Sequence, residues 1–255
     1  MRFVDMHVHL DLMTNGVEVA HAAQDLGMGL FCTTVTPNDA VAARERFSCC
    51  PNVRVGAGLH PWWLADSTCG DADIELLKGL VAHSRYVGEV GLDAGKRGAA
   101  SLELQTAAFE RIMRAVSEHP LQGRVISIHA IRSVNRVLDI LERSGAIATS
   151  SCILHWFSGS SDELWRAVHL GCLFSINEHM LATKRGREYA RILPDDRLLL
   201  ETDAPPQLNA PYELTALEHS LETTLNHVAD LRHTDPNSLG TSIAARSAQL
   251  LDFEA

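Results

Sequence analysis

Eight short apolar segments alternate with longer segments of helical periodicity along almost the whole of this 255-residue chain. The apolar segments predict β-strands at residues 3–10, 30–35, 53–59, 86–90, 125–129, 153–157, 172–176 and 198–202. The helical segments between them are 17–26, 39–47, 73–84, 101–119, 133–143, 161–170 and 183–193, and 213–251 holds two more helices. Strands that alternate with helices form parallel βαβ units. Eight such units predict an α/β fold, a closed (β/α)8 TIM barrel rather than an open doubly wound sheet.

The length suits a single domain that occupies residues 1–255, since barrels of this size are commonly one domain. No stretch approaches about 18 consecutive apolar residues, so we expect no membrane association. No Gly-x-Gly-x-x-Gly turn follows the first strand, which argues against dinucleotide binding.

The six cysteines form no Cys-x-x-Cys pair, so neither a zinc ribbon nor a disulfide framework is expected. Adjacent Cys49 and Cys50 are either redox-active or plain loop thiols. The N-terminal segment meets a charge at once and lacks the apolar core of a signal peptide. These features predict a reducing, cytoplasmic location.

The net charge of −10 argues against a broad basic surface for gripping duplex phosphates. It does not exclude a nucleic-acid substrate, because metal ions in a cleft can supply positive charge locally.

Six polar residues each stand at the end of a predicted strand, and they are His7, His9, Glu89, His129, His155 and Asp203. The carboxyl ends of the strands of a (β/α)8 barrel form its active-site face, so these side chains should meet at one mouth. Imidazoles and carboxylates are ligands for divalent ions, and the set suffices for two.

The first strand contains two of these ligands. If it alternates regularly, Asp5, His7 and His9 share one face, and Val4 and its alternate neighbours Met6 and Val8 face the opposite apolar layer. Buried polar groups are costly unless something binds them. A metal site is therefore predicted here.

Six motifs occur in the order and spacing of the TatD family of metal-dependent nucleases. They are Asp5-Met6-His7-Val8-His9-Leu10-Asp11, Gly58-Leu59-His60-Pro61, Gly88-Glu89-Val90-Gly91-Leu92-Asp93, Ile128-His129, His155-Trp156-Phe157-Ser158-Gly159 and Glu201-Thr202-Asp203-Ala204-Pro205. The chain resembles this family from residue 3 to about residue 251. The resemblance implies a two-metal hydrolase that acts on DNA, as a 3′-5′ exonuclease on single-stranded ends.

The resemblance also implies individual roles. His7, His9 and Asp203 would hold one ion, and Glu89 would bridge to a second ion held by His129 and His155. The ions would be Mg²⁺, Mn²⁺ or Zn²⁺, which activate a water molecule for attack on a phosphodiester. Asp203 and Glu89 would be catalytic, with Asp203 orienting the water or taking its proton.

Other residues are expected to support the site. Asp5 and Asp93 are predicted to orient ligands from behind. The segment after the third strand holds His60, Trp62 and Trp63. We expect His60 near a phosphate, and the tryptophans either stack on an unpaired base or simply pack over the mouth.

The chain departs from the family pattern around the site. An arginine is common two residues after the fifth-strand histidine, where this chain has Ile131, and Arg132 follows as the predicted substrate contact. The family's Gln-x-x-x-Phe-x-x-Gln helix keeps Gln105 and Phe109 but has Ile112 for the second glutamine, and Pro206 stands where an aromatic is common. The segments 128–133 and 154–159 look more like TatD-type nucleases of bacterial Qat anti-phage systems, which implies protein partners in a defence system.

Two other functions stay open at this point. One is an amidohydrolase or deacylase on the same barrel, including an aminoacyl-tRNA deacylase. Such enzymes often bridge their metals with a carboxylated lysine after strand four; Glu89 stands there, and Lys78, Lys96 and Lys184 lie away from the predicted strand ends. The other is a non-catalytic, metal-stabilised subunit of a defence complex. The intact ligand set argues against it.

Overall fold

Eight parallel strands form a single sheet in sequence order in the computed structural model, which describes residues 1–253. The strands are β1 (Phe3–Val8), β2 (Met28–Thr33), β3 (Val53–Leu59), β4 (Tyr86–Asp93), β5 (Arg124–Ile131), β6 (Ser150–His155), β7 (Leu173–Ile176) and β8 (Leu198–Leu200). Backbone hydrogen bonds join the two edges just beyond β8: the Asp203 amide donates to the His7 carbonyl at 2.9 Å, and the His9 amide donates to the Ala204 carbonyl at 2.7 Å. The predicted (β/α)8 barrel is confirmed.

Twelve α-helices lie in the described part of the chain. They are α1 (Gly16–Asp25), α2 (Pro37–Arg46), α3 (Pro61–Ala65), α4 (Asp71–Val81), α5 (Leu102–Glu118), α6 (Val134–Ser144), α7 (Ala146–Thr149), α8 (Ser161–His169), α9 (Glu178–Leu181), α10 (Lys184–Ile192), α11 (Leu214–Arg232) and α12 (Pro236–Leu251). The short helices α3, α7 and α9 are absent from the sequence prediction, because four or five residues are too few to show a helical period. Among residues 1–253, no helix combines the length and the apolar character needed to cross a membrane.

Two apolar cores flank the strands. The larger core lies between the sheet and the surrounding helices. The smaller core joins side chains from six strands, including Val4, Phe31 and Ile153, and therefore fills the barrel interior. Leu251 at the end of α12 and Phe253 just after it belong to this inner cluster, and they close the amino-terminal end of the barrel. The polar residues lie at the opposite end of the barrel, where the strands have their carboxyl ends.

The predicted alternation of β1 is wrong. Val4 and Met6 belong to the inner cluster, whereas Val8 belongs to the outer core. The pairing of β1 with β2 shifts between Asp5 and Val8, and this irregularity changes which side chains point inward. His7 can thus follow Met6 into the barrel, which strict alternation would forbid.

Arg124, the first residue of β5, is fully buried and connects β5 to two helices. Its guanidinium donates to four backbone carbonyls, with distances of 2.7–3.1 Å, at Val81, Ser84, Val116 and His119. These carbonyls lie at the ends of α4 and α5, where a helix has unpaired acceptors and partial negative charge. Arg124 thereby caps both helices at once, and burial lowers its pKa.

Candidate metal centre

Glu89 lies at the centre of the polar cluster, and its two carboxylate oxygens face two different groups of imidazoles. Oε2 lies 3.3 Å from His7 Nε2 and 3.5 Å from His9 Nε2. Oε1 lies 2.9 Å from both His129 Nδ1 and His155 Nε2. Asp203 Oδ1 joins the first group, at 3.6 Å from His7 Nε2 and 3.3 Å from His9 Nε2. The cluster therefore has two lobes that share one carboxylate.

Two glycines allow Glu89 to reach this position on β4. Gly88 and Gly91 have φ angles of +145° and +146°, a region that side chains rarely permit. A Cβ atom at Gly91 would lie 2.0 Å from the His129 carbonyl oxygen. Glycine at this position lets β4 approach β5 closely enough for Glu89 and His129 to meet.

An oxygen atom behind each of three ligand imidazoles orients its ring. His9 Nδ1 donates to the Thr33 carbonyl at 2.6 Å, and His7 Nδ1 lies 2.7 Å from Ser127 Oγ. His129 is turned the other way, with Nε2 lying 3.1 Å from Asp93 Oδ2 and Nδ1 facing Glu89. A proton on the outer nitrogen leaves a lone pair on the inner one, which is the arrangement a metal ligand needs.

His60 lies in the same cluster, but the nitrogen that carries its proton faces Glu89. Its Nδ1 accepts a hydrogen bond from the Trp62 amide at 3.1 Å, as the N-cap of α3. The neutral ring must then carry its proton on Nε2, which lies 3.2 Å from Glu89 Oε1. His60 is thus set up as a hydrogen-bond donor rather than as a metal ligand.

Asp93, at the end of β4, connects the cluster to the cavity wall. Its Oδ2 accepts from Trp62 Nε1 at 2.6 Å as well as from His129, and its Oδ1 accepts from the Gly95 amide at 2.6 Å. Burial alone would raise the pKa of Asp93, but these hydrogen bonds lower it below its ordinary value. The carboxylate therefore stays ionised and holds His129 in place.

Asp5 lies behind the cluster, between β1 and the segment after β8. It accepts hydrogen bonds from the His7 amide at 3.1 Å and from the Thr202 amide and hydroxyl at 3.0 and 2.6 Å. Complete burial raises the pKa of Asp5 to about 7. Asp5 touches the backbone that carries the ligands, not the ligand rings.

Glu201 is a buried residue whose role sequence reasoning did not find. Its carboxylate accepts from Ser175 Oγ, Asn177 Nδ2 and the Trp156 amide, and Oε1 lies 3.5 Å from His155 Nδ1. Glu201 faces the His155 nitrogen that points away from Glu89, as Asp93 faces the corresponding nitrogen of His129. The available signal was its place two residues before Asp203 at the end of a strand.

The ionisation of the cluster follows from burial and from the mutual charges. Burial alone would lower the pKa of His9, but Asp203 and Glu89 raise it to about 9. Burial alone would raise the pKa of Asp203, but the His9 hydrogen bond and nearby imidazoles lower it to about 2. At His60 burial dominates and lowers the pKa to about 4, so this ring is neutral.

A cavity of about 640 Å³ opens above the cluster. Trp62 and Trp63 line one wall, and Trp156, which stacks on His179 with ring centroids 4.9 Å apart, lines another. Arg132 is exposed and does not line this cavity, whereas Lys96 and Arg97 of the loop after β4 do. His179, Lys96 and Arg97 could not be identified from the sequence, because their approach to the mouth depends on the paths of the loops.

One unpaired polar atom supports a metal at the cluster. His7 Nε2, which faces Glu89 and Asp203, is buried without a hydrogen-bond partner, although such atoms are normally satisfied. His7, His9 and Glu89 form one group of donor atoms close enough to hold an ion. Glu89 and His129 belong to a second such group, whose third member, His60, has the proton on the nitrogen that faces Glu89. A mixed imidazole and carboxylate set fits Zn²⁺ or Mn²⁺, and its carboxylates also suit Mg²⁺.

A separate group of possible metal donors lies outside the barrel mouth. His21 on α1 and the adjacent Cys49 and Cys50 after α2 have donor atoms within 4.8 Å of one another. All six cysteines are free. Burial raises the pKa of Cys50 to about 11, so this thiol stays protonated.

Imidazoles at the strand ends of this parallel barrel surround one shared carboxylate. This combination of fold and site is that of a class of barrel proteins that hold metal ions. The sequence model of the family described as "TatD related DNase" matches residues 4–252. The chain therefore belongs to the TatD family.

Individual relatives and solved structures agree with this assignment. The chain is 29% identical over 250 residues to the "3′-5′ ssDNA/RNA exonuclease TatD" of Citrobacter rodentium, an alignment that covers 91% of this chain and 90% of that protein. It is 30% identical over 264 residues to the "Uncharacterized metal-dependent hydrolase TatD" of Mycobacterium tuberculosis, covering 96% and 97%. The crystal structure of the TatD homologue YJJV from Escherichia coli K12 superposes with a TM-score of 0.79 at 21% identity, over 98% of each chain. The similarity to the YJJV structure shows that the two proteins share a fold.

Proposed function

We propose that this protein is a metal-dependent nuclease that hydrolyses phosphodiester bonds of DNA from single-stranded 3′ ends. The observation that carries the proposal is the division of the Glu89 oxygens between two groups of imidazoles. His7, His9 and Asp203 would hold one divalent ion, His129 and His155 would hold the second, and Glu89 would bridge them. Two such ions lower the pKa of a water molecule and stabilise negative charge on the phosphate.

The side chains around this centre have separable tasks in the proposal. Asp203 is ionised at neutral pH and lies at the cavity surface, so it can orient the attacking water and accept its proton. His60, whose Nε2 carries the proton, can donate a hydrogen bond to a phosphate oxygen. Asp5, Asp93 and Glu201 hold the ligands from behind.

The names of relatives support the nucleic-acid substrate. The Citrobacter rodentium relative is named for exonuclease action on single-stranded DNA and RNA. A protein of Schizosaccharomyces pombe named "Deoxyribonuclease Tat-D" is 30% identical over 118 residues, which cover 46% of this chain and 37% of that protein. An amide- or ester-cleaving activity has less support, because Glu89 occupies the bridging position where such enzymes often have a carboxylated lysine. A cytoplasmic location and partners in an anti-phage system remain predictions from the sequence.

The test is incubation of the protein with 3′- and 5′-labelled single-stranded DNA in Mg²⁺, Mn²⁺ or Zn²⁺, with EDTA as the control. We expect early release of the 3′ label, a ladder from the 5′-labelled strand, and no reaction in EDTA. His9→Ala and Asp203→Asn should each lower the rate by more than about 100-fold while keeping the fold by circular dichroism. Asp196→Asn, an exposed carboxylate before β8, is the matched control.

Some results would contradict the proposal. Unchanged nuclease activity in both variants would place the chemistry elsewhere. Cleavage of N-acyl amino acids, esters or aminoacyl-tRNA without cleavage of DNA would favour the deacylase alternative.

A further inference from the structure

The cavity of this acidic protein contains few cations besides its histidines. Glu89, Asp93 and Asp203 all contribute to its lining, and the chain carries a net charge of −10. In the part of the chain from residue 1 to 253, Lys96 and Arg97 are the only lysine or arginine side chains that line it. A polyanion that enters this mouth would be attracted by these two positive charges.

The loop that carries both cations is fixed to the metal centre. Its first turn is held by the Gly95 amide, which donates to Asp93 Oδ1 at 2.6 Å, and by the Ala94 amide, which donates to the Ile131 carbonyl at 2.8 Å. Its far end is held by buried Gln105, whose Nε2 donates to the Gly98 carbonyl at 2.8 Å. The same Gln105 accepts from the Asp93 amide at 2.8 Å. The loop therefore places its side chains at a defined distance from His129, which also binds Asp93.

Arg97 stacks on the tryptophan wall. Its guanidinium carbon lies 4.3 Å from the centre of the Trp62 ring and 5.9 Å from that of Trp63. Stacking orients the planar group and leaves its N–H edge free for phosphate oxygens. The contact with Asp66 does not occupy it fully, since the 3.5 Å pair is exposed and such pairs contribute little.

We infer that Lys96 and Arg97 form a binding site for the phosphodiester backbone of a single-stranded nucleic acid, beside the metal centre. Arg97 covers one face of the Trp62 ring. On that face Trp62 orients the guanidinium and does not stack on a base. Ile131, at the position where the family commonly has an arginine, packs near Gly95 of the same loop. This assignment replaces Arg132, which is exposed outside the cavity.

The inference rests on the proposed nuclease function, and binding can be measured apart from it. Fluorescence anisotropy of labelled single-stranded DNA with the Asp203→Asn protein reports affinity without cleavage. Added singly to that protein, Lys96→Ala and Arg97→Ala should each weaken binding by about five- to thirtyfold. Each should also reduce the slope of log affinity against log salt by about 0.7, the value expected for one lost phosphate contact on a single strand. Arg97→Lys should keep the salt slope but bind more weakly, because lysine cannot stack as a planar group.

Activity measurements give a second readout. In the otherwise unaltered protein, Lys96→Ala and Arg97→Ala should lower kcat/KM for DNA at least about fivefold more than for bis(p-nitrophenyl) phosphate, which lacks flanking phosphates. Arg114→Ala on the outer helix α5 removes the same charge away from the mouth and is the matched control. If Lys96→Ala and Arg97→Ala leave the salt slope unchanged while Arg132→Ala reduces it, the inference is overturned.

The two proposals can fail separately. If the unaltered protein cleaves neither DNA nor the small diester with any metal, the nuclease proposal fails. The anisotropy measurements on the Lys96 and Arg97 variants then still test whether these residues bind phosphate.

Discussion

Asp93 is the residue through which the cavity wall and the metal centre influence each other, and Asp93→Asn tests that link. The carboxylate accepts three hydrogen bonds, from Trp62, His129 and Gly95. An asparagine has one oxygen and one NH₂ group in the same space. If its oxygen faces Trp62 and His129, its NH₂ group opposes the Gly95 amide. If it is flipped, the NH₂ group opposes Trp62 and pushes the His129 proton onto the nitrogen that faces Glu89.

Either orientation weakens the support of His129 and removes the negative charge behind it. Loss of such a carboxylate partner lowers metal affinity by about 10- to 100-fold, or ~1.4–2.7 kcal/mol. The effect should persist across neutral pH, because the pKa of Asp93 is held below its ordinary value.

The assay is isothermal titration of metal-free protein with Mn²⁺, combined with the metal concentration that gives half-maximal nuclease activity. Asp71→Asn is the charge-matched control, since Asp71 is exposed and pairs with Arg111 away from the mouth. Trp62→Phe removes one donor to Asp93 and leaves the His129 bond, so its effect should be smaller. Wild-type metal affinity in Asp93→Asn would refute the argument.

Three further changes have calculable directions. Arg124→Met should lower the free energy of unfolding by about 3–5 kcal/mol in urea titrations, because four backbone carbonyls lose their guanidinium donor and three of these hydrogen bonds are buried, whereas exposed Arg143→Met should change it by less than about 0.5 kcal/mol. Gly91→Ala should lower both thermal stability and metal affinity, since its Cβ would collide with the His129 carbonyl; unchanged values would contradict the close approach of β4 and β5. In metal-free protein the pKa of His9 is raised from 6.5 to about 9, so its contribution to stability is complete below pH 6.5 and is lost as pH rises through 9. Metal binding must displace that proton, so metal affinity should rise at least about tenfold per pH unit between pH 6.5 and pH 9, and a flat calorimetric profile would exclude a protonated His9.

The fold could be predicted from the sequence because the signal for it is local and repeated. Each strand is a short apolar run between helical segments, and β3 has the predicted bounds of Val53 and Leu59. Where one residue decides the geometry, as at the irregularity in β1, the pattern predicted the wrong face for Val8. A bulge depends on pairing with the neighbouring strand, and the sequence of one strand does not report that pairing.

The candidate ligands could likewise be found as polar residues at strand ends, because a parallel barrel brings all those ends to one mouth. The side chains behind them could not all be found this way. Glu201 and Ser127 are ordinary polar residues in the sequence, and they acquire a role only because the rings of His155 and His7 turn toward them.

The sequence by itself determined the barrel, the candidate ligand set and the family, since periodicity and ordered motifs survive without knowledge of contacts. Only the tertiary structure decided how the ligands are arranged. It divided the Glu89 oxygens between two lobes and fixed the tautomer of His60 through the first turn of α3. It also brought Lys96 and Arg97, rather than Arg132, to the cavity. The sequence could not predict these features, because hydrogen-bond direction and cation position depend on loop paths and ring rotations. Both are set by contacts between residues that are far apart in the chain.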